Sequence, residues 1–204
     1  MRQLQPDYPI VTERLRLRPL TTADVDALLT YRGRADVCRY LPFEPMTRGV
    51  LLGRLRTDLS RTAITVEGQA LTLGVELAET GRLIGDLVLF FRSREHAGGE
   101  LGYVFHPEVA GRGYATEAAR AMLDLAFGEF DLHRVIARLD PRNEQSAKLA
   151  ARLGMRKEAH FVKNEIFKGE WADEVIYAIL AQEWLSDRVS GPQERGCQPG
   201  GPRT

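Results

Sequence analysis

The sequence predicts an α+β fold built on one mixed, mostly antiparallel sheet, in the order β-α-α-β-β-β-α-β-α-β-β. Three observations predict it. Strand-like segments at 71–77, 83–91 and 100–105 follow one another with turn-sized links, the pattern of an antiparallel meander. A glycine-bearing loop then opens a helix with a small-residue apolar face. The chain ends in two strands joined by a hairpin around Lys168-Gly169.

Each element has its own signal. Leu15-Arg16-Leu17-Arg18 alternates with period two, as a half-buried strand does. Thr21 and Thr22 can cap a helix whose apolar positions Val25, Leu28 and Leu29 fall at i, i+3 and i+4. Tyr40-Leu41-Pro42-Phe43-Glu44-Pro45 reads as a stiff loop, and a second helix is expected across Val50, Leu51, Leu55 and Leu59. The meander follows, with links at Glu79-Thr80-Gly81 and His96-Ala97-Gly98-Gly99. Ala115, Ala118, Ala119, Met122, Leu123 and Ala126 mark the next helix, and 135–139 the next strand. Asn143 to Leu153 forms a helix closed by Gly154, strands are expected at 155–162 and 171–180, and 181–188 closes with a helical turn.

The length of 204 residues favours one domain over 1–189, with a Gly/Pro-rich tail at 190–204. Lys plus Arg and Asp plus Glu both total 28, which argues against a protein that coats nucleic acid or anionic lipid. Cys38 and Cys197 form no CxxC pair and no disulfide framework, which suits the cytoplasm. No apolar run approaches the roughly 20 residues that span a bilayer, and the first residues lack a signal-peptide core. His96, His106, His133 and His160 have neither i, i+4 pairing nor nearby cysteines, so no metal site is expected.

The most informative stretch runs from Glu100 to Glu117. A strand ends, Gly111 and Gly113 allow close backbone approach and positive φ, and the first N–H groups of a helix at Tyr114, Ala115 and Thr116 point outward. Such a place binds phosphate, and Arg112 can add a charged contact. A Walker A loop is excluded because the chain has no Gly-Lys dipeptide. A dinucleotide fingerprint fails at Thr116, where it needs glycine, and the meander is wrong for a βαβ half. A plain tight turn into a helix would still explain an isolated GxG.

A second motif, Asp140-Pro-Arg-Asn143-Glu-Gln-Ser146 through Ala150 to Gly154-Met155, changes that balance. With it, the chain resembles the GCN5-related N-acetyltransferases, in the branch of ribosomal-protein N-terminal acetyltransferases. The loop matches at Gly113 and Ala115, the helix at Asn143, Ser146 and Gly154, and the flanks at 12–18 and 171–177. The likeness covers about residues 10 to 187. Two positions depart: Ala110 replaces a Gln or Arg at the loop start, and Ala150 replaces a tyrosine that would protonate the leaving thiolate.

The resemblance implies acetyl-CoA as co-substrate, no metal, and a primary-amine acceptor: a protein N-terminal α-amine or a small molecule such as a polyamine or amino sugar. It implies a cleft where the strand ending at Phe105 splays from the strand ending at Leu139. There the N–H groups of Tyr103, Val104 and Phe105 can polarise the thioester carbonyl, and an amine attacks directly through a tetrahedral intermediate. Ser146 is the candidate acid. Glu165 is the candidate base, ahead of Glu100, with Asp173 third. Asn143 is expected as an N-cap and cofactor ligand, and Tyr40 and Phe43 are expected over the acceptor. A non-catalytic acyl-CoA sensor on the same fold is the alternative reading, kept open by Ala150, and the resemblance also allows a homodimer. Trp171, Tyr177 and Trp184 are expected as core or interface aromatics.

Overall fold

A computed structural model describes residues 3–189; the tail at 190–204, with Cys197, lies outside them. In chain order the elements are β1 (Ile10–Val11), β2 (Leu15–Pro19), α1 (Val25–Arg32, after a 3₁₀ turn at Thr22–Asp24), α2 (Ala35–Cys38), α3 (Arg48–Leu55), β3 (Ala70–Leu77), β4 (Leu83–Ser93), β5 (Gly98–Phe105), α4 (Tyr114–Asp124), β6 (Arg134–Leu139), α5 (Glu144–Arg152), β7 (Arg156–Phe167), β8 (Glu170–Leu180) and α6 (Ala181–Val189). The eight strands form one sheet in the order β1-β2-β3-β4-β5-β6-β8-β7. Every neighbouring pair is antiparallel except β5 and β6.

The sheet has two covered faces because its strands alternate. Leu17, Leu73, Leu87, Leu89 and Leu101 point to one side, where α4 and α6 bring Met122, Leu123 and Trp184 into a large apolar cluster. Val104 points to the other side and joins a second cluster from α1 and α3 with Val25, Leu28, Tyr31, Leu51 and Leu55. The polar joint of this second layer is buried. Asp86 on β4 accepts from Arg32 Nε at 2.9 Å, Arg32 Nη2 at 2.5 Å and Tyr31 Oη at 2.8 Å. A buried carboxylate is tolerable only when its oxygens are occupied in this way.

Several expectations are corrected in detail. The second helix stops at Leu55, short of Leu59, and Val50 is exposed. Leu59 is still buried, because a turn with Leu59 N–H donating to Arg54 O folds it back. The two-residue β1 and the one-turn α2 are too short to show a period. Of the aromatics expected in the core or at an interface, Trp184 is buried and Trp171 is 63% exposed. The apolar face of α4 continues through a π-helical turn, Leu125–Glu129, which buries Ala126 and Phe127.

Candidate active site

The sheet opens in its middle. β5 and β6 pair only at Gly98–Arg134, Gly99–Val135 and Glu100–Ile136. Beyond that point β5 stays bonded to β4 as far as Phe105, and β6 stays bonded to β8 as far as Leu139. The two strands therefore diverge, leaving the β6-facing backbone groups of 103 and 105 without a strand partner on that side. His106 N–H donates to Ile84 O on β4 at 2.8 Å. Strand alternation then turns the N–H groups of Tyr103 and Phe105 into the gap. Val104 is a correction to the expected trio: its N–H faces the β4 ladder, and its side chain is buried against α1 and α3.

At the far end of β5 the chain enters the glycine loop. Gly111 and Gly113 have φ of 77° and 82°, which L side chains rarely adopt. No side chain caps α4, so the first N–H groups at Tyr114, Ala115 and Thr116 remain open; the first intrahelical bond runs from Glu117 N–H to Gly113 O. Arg112 is exposed beside them. This donor set suits an anion, and the glycines leave no Cβ in its way.

Arg14 shapes this loop. Its guanidinium binds Glu117 at 2.7 Å, donates to Arg112 O at 3.1 Å and lies 4.7 Å from the Tyr114 ring centroid. Glu117 also accepts from Thr12 Oγ1 at 2.6 Å and Arg14 N–H at 2.8 Å. Burial opposes ionisation of Glu117, but these bonds win and hold its carboxyl below the ordinary range.

Across the gap, Asn143 caps α5 by accepting from Ser146 N–H at 3.2 Å. Tyr103 reaches over from β5 and donates its hydroxyl to Ser146 O at 3.1 Å. Burial pushes the Tyr103 phenol up to about 12, against the opposing effect of its bond with Ser146, so it stays a neutral donor. Ala150 is buried in the core and offers no polar group.

The two carboxylate candidates lie on the opposite side of the sheet from Ser146, around Arg138 on β6. Glu165 Oε2 is 4.0 Å from Arg138 Nη2. Glu174, almost buried, binds the same guanidinium at 2.5 Å. Glu100 is paired with Arg92 at 2.9 Å and its side chain is only 15% exposed, so it is more enclosed than Glu165. Asp173 is committed elsewhere: it accepts from Lys163 N–H at 2.9 Å and contacts His160 Nε2 at 3.0 Å, so it fixes the β7–β8 hairpin.

Over this side lies the loop that carries Tyr40 and Phe43. The Tyr40 ring is flanked by Arg39 at 5.2 Å and Arg142 at 5.7 Å, and Phe43 faces Arg32 at 5.2 Å. Lys168, at the hairpin tip, donates to Cys38 O at 2.8 Å and Phe43 O at 3.1 Å. Hairpin and loop are thus bolted together as a roof. Sequence reasoning named Lys168 only as a turn residue, named Tyr103 only for its backbone, and gave Arg14 and Arg138 no role. Their partners lie far away in the chain, so no local spacing marks them.

A sheet split between two parallel strands, with a helix N-terminus that no side chain caps at the end of the first, is the architecture of this site. Residues 14–156 match the family model described as an acetyltransferase (GNAT) domain. The chain belongs to the GNAT family and is an acetyl-CoA-dependent N-acetyltransferase. It is 35% identical over 178 residues to the N-acetyltransferase YnaD of Bacillus subtilis (strain 168), covering 86% of this chain and 98% of the relative. It is 32% identical over 88 residues to the [ribosomal protein uS5]-alanine N-acetyltransferase of Escherichia coli (strain K12), covering 43% of this chain and 45% of the relative. A GNAT-family acetyltransferase from Bacillus anthracis has the same fold, with a TM-score of 0.76 at 33% identity, covering 85% of this chain and 98% of that one.

Proposed function

We propose that the chain transfers the acetyl group of acetyl-CoA to a primary amine, a protein N-terminal α-amine or a small-molecule amine, by direct attack within the β5–β6 gap. The observation that carries this is the end of β5–β6 pairing at Glu100–Ile136 while both strands continue. On this reading the open N–H groups at 111–116 hold the pyrophosphate, with Arg112 adding charge. The N–H of Tyr103 or Phe105 receives the oxyanion that forms as the amine nitrogen bonds to the carbonyl carbon. Ser146 gives its hydroxyl proton to sulfur as the C–S bond breaks, and Glu165 takes a proton from the attacking nitrogen. Acid and base then act from opposite faces of the sheet, with the reacting carbon between them.

Thiol release from acetyl-CoA, followed against an amine panel, tests the reading. Acceptor-dependent release is expected. Ser146→Ala should lower kcat roughly 10- to 1,000-fold with little change in acetyl-CoA affinity. Glu165→Gln should remove or shift the acidic limb of the pH–rate profile. If that limb persists in Glu165→Gln but disappears in Glu100→Gln, the base role moves to Glu100. Tight binding of acetyl-CoA with no release to any acceptor would instead support a sensor.

A further inference from the structure

Arg138 is the cation whose place in this site has no counterpart in the proposed chemistry. It lies on β6 two residues past the last pair with β5, so it stands in the gap. Its side chain shares the sheet face of Glu100, because Glu100 pairs with Ile136 and residues two apart on a strand point the same way. That is the face roofed by the Tyr40–Phe43 loop and the Lys168 bolt. One edge of the guanidinium is anchored: Nε and Nη2 both reach Glu174 Oε1 at 2.5 Å. The Glu174 side chain is 8% exposed and that of Arg138 is 44% exposed. The other edge, Nη1 with two N–H groups, has no hydrogen-bond partner among the described residues. An arginine held along one edge and open along the other is a pre-organised receptor for an oxygen acceptor.

Resting on the transfer reading above, we propose that Arg138 determines acceptor specificity by receiving a carbonyl or carboxylate oxygen close to the reacting amine. The acceptor class is then an amine with a neighbouring carbonyl, such as an amino-acid amide or a peptide α-amine. A second ammonium placed against Nη1 would meet N–H donors and no acceptor, so that position favours a carbonyl oxygen over the second nitrogen of a polyamine. The nearby Glu165 supplies the matching negative charge for the reacting ammonium before it loses its proton. The site therefore reads the two ends of one small unit, nitrogen at Glu165 and oxygen at Arg138.

The test compares glycinamide, propylamine and 1,3-diaminopropane in thiol-release assays of the wild type and Arg138→Gln. Each acceptor's own basicity cancels in the variant-to-wild-type ratio of kcat/KM. Glycinamide should lose roughly 10- to 100-fold, the worth of a charge-assisted hydrogen bond, while propylamine changes little and diaminopropane improves. KM for acetyl-CoA should stay the same. Because Arg138→Gln leaves Glu174 a buried unpaired carboxylate, the double variant Arg138→Gln/Glu174→Gln repeats the measurement without it. Equal losses for all three acceptors in both variants would overturn the proposal, as would a diaminopropane rate that does not rise relative to glycinamide. Absence of release with any acceptor would overturn the transfer reading itself, a pattern distinct from turnover without selectivity.

Discussion

At the scale of single residues, the site is organised by side chains that hold other groups in place. Tyr103 shows this most clearly. Its phenol spans from β5 to the first turn of α5 and fixes Ser146 by its carbonyl, on the side of the gap opposite Glu165. Ala150 cannot supply a tyrosine acid from the helix, and a phenol held at about 12 is a poor proton donor to a thiolate. On the proposed transfer reading, Tyr103 is therefore a positioning residue. Tyr103→Phe removes one hydrogen bond and should cost about 1 kcal/mol of stability in denaturant titration. If Ser146 placement matters to the chemistry, kcat should fall several-fold with KM for acetyl-CoA unchanged. A stability loss with unaltered kcat would show that the bond only braces α5.

At the scale of elements, the loop from β5 into α4 is where sequence and geometry agree best. Gly113 has φ of 82°, and an added Cβ there would meet only Arg14 Nη2 at 3.4 Å, so backbone conformation rather than space demands glycine. Gly113→Ala should cost about 1–2 kcal/mol from the left-handed penalty, and valine more, so a variant at this position is not silent for folding. Calorimetry with CoA should show weakened binding beyond that cost, if the loop holds the pyrophosphate. Unchanged affinity in a folded Gly113→Ala protein would remove the loop from the site. The element order was legible in the sequence because the meander, the capped helices and Gly154 carry local signals. The splay was legible only through resemblance, since no residue pattern announces where two strands stop pairing. The length of β7 was hidden for another reason. This edge strand is exposed on both faces over most of its twelve residues, so it shows no alternation to read. Which residues meet in the site, Arg138 with Glu165 and Glu174 above all, follows from strand register across β6, β8 and β7, and register is a tertiary property.

At the scale of the whole molecule, several ion pairs tie distant parts of the chain together. Arg18 joins Asp24 to Glu76, Arg32 joins α1 to β4, and Arg134 joins Glu158 across the sheet. The tie with the most direct bearing on the site is Glu117, which clasps the segment before β2 to the start of α4 over about a hundred residues of chain. Its carboxyl is held below the ordinary glutamate value of 4.5, despite the cost of burial, by bonds from Thr12 and Arg14. A carboxyl depressed by folding binds its proton more readily when unfolded. Its contribution is therefore fully present above that ordinary value and is lost as pH falls through the lower folded value. Stability should accordingly decline on acidification from about pH 6 to about pH 3. Glu117→Gln should be less stable than the wild type at neutral pH by about 1–3 kcal/mol, the range for hydrogen bonds to a charged group. The gap between the two proteins should then narrow as the wild-type carboxyl takes up its proton, and urea titrations at stepped pH would measure it. The clasp also holds Arg14 against the Arg112 carbonyl, so if the loop holds the pyrophosphate, the same variant should weaken CoA binding at neutral pH. A constant stability gap from pH 6 to pH 3 would show that the wild-type loss comes from other carboxyls, such as Asp24 and Asp140, which their partners also depress against the cost of burial.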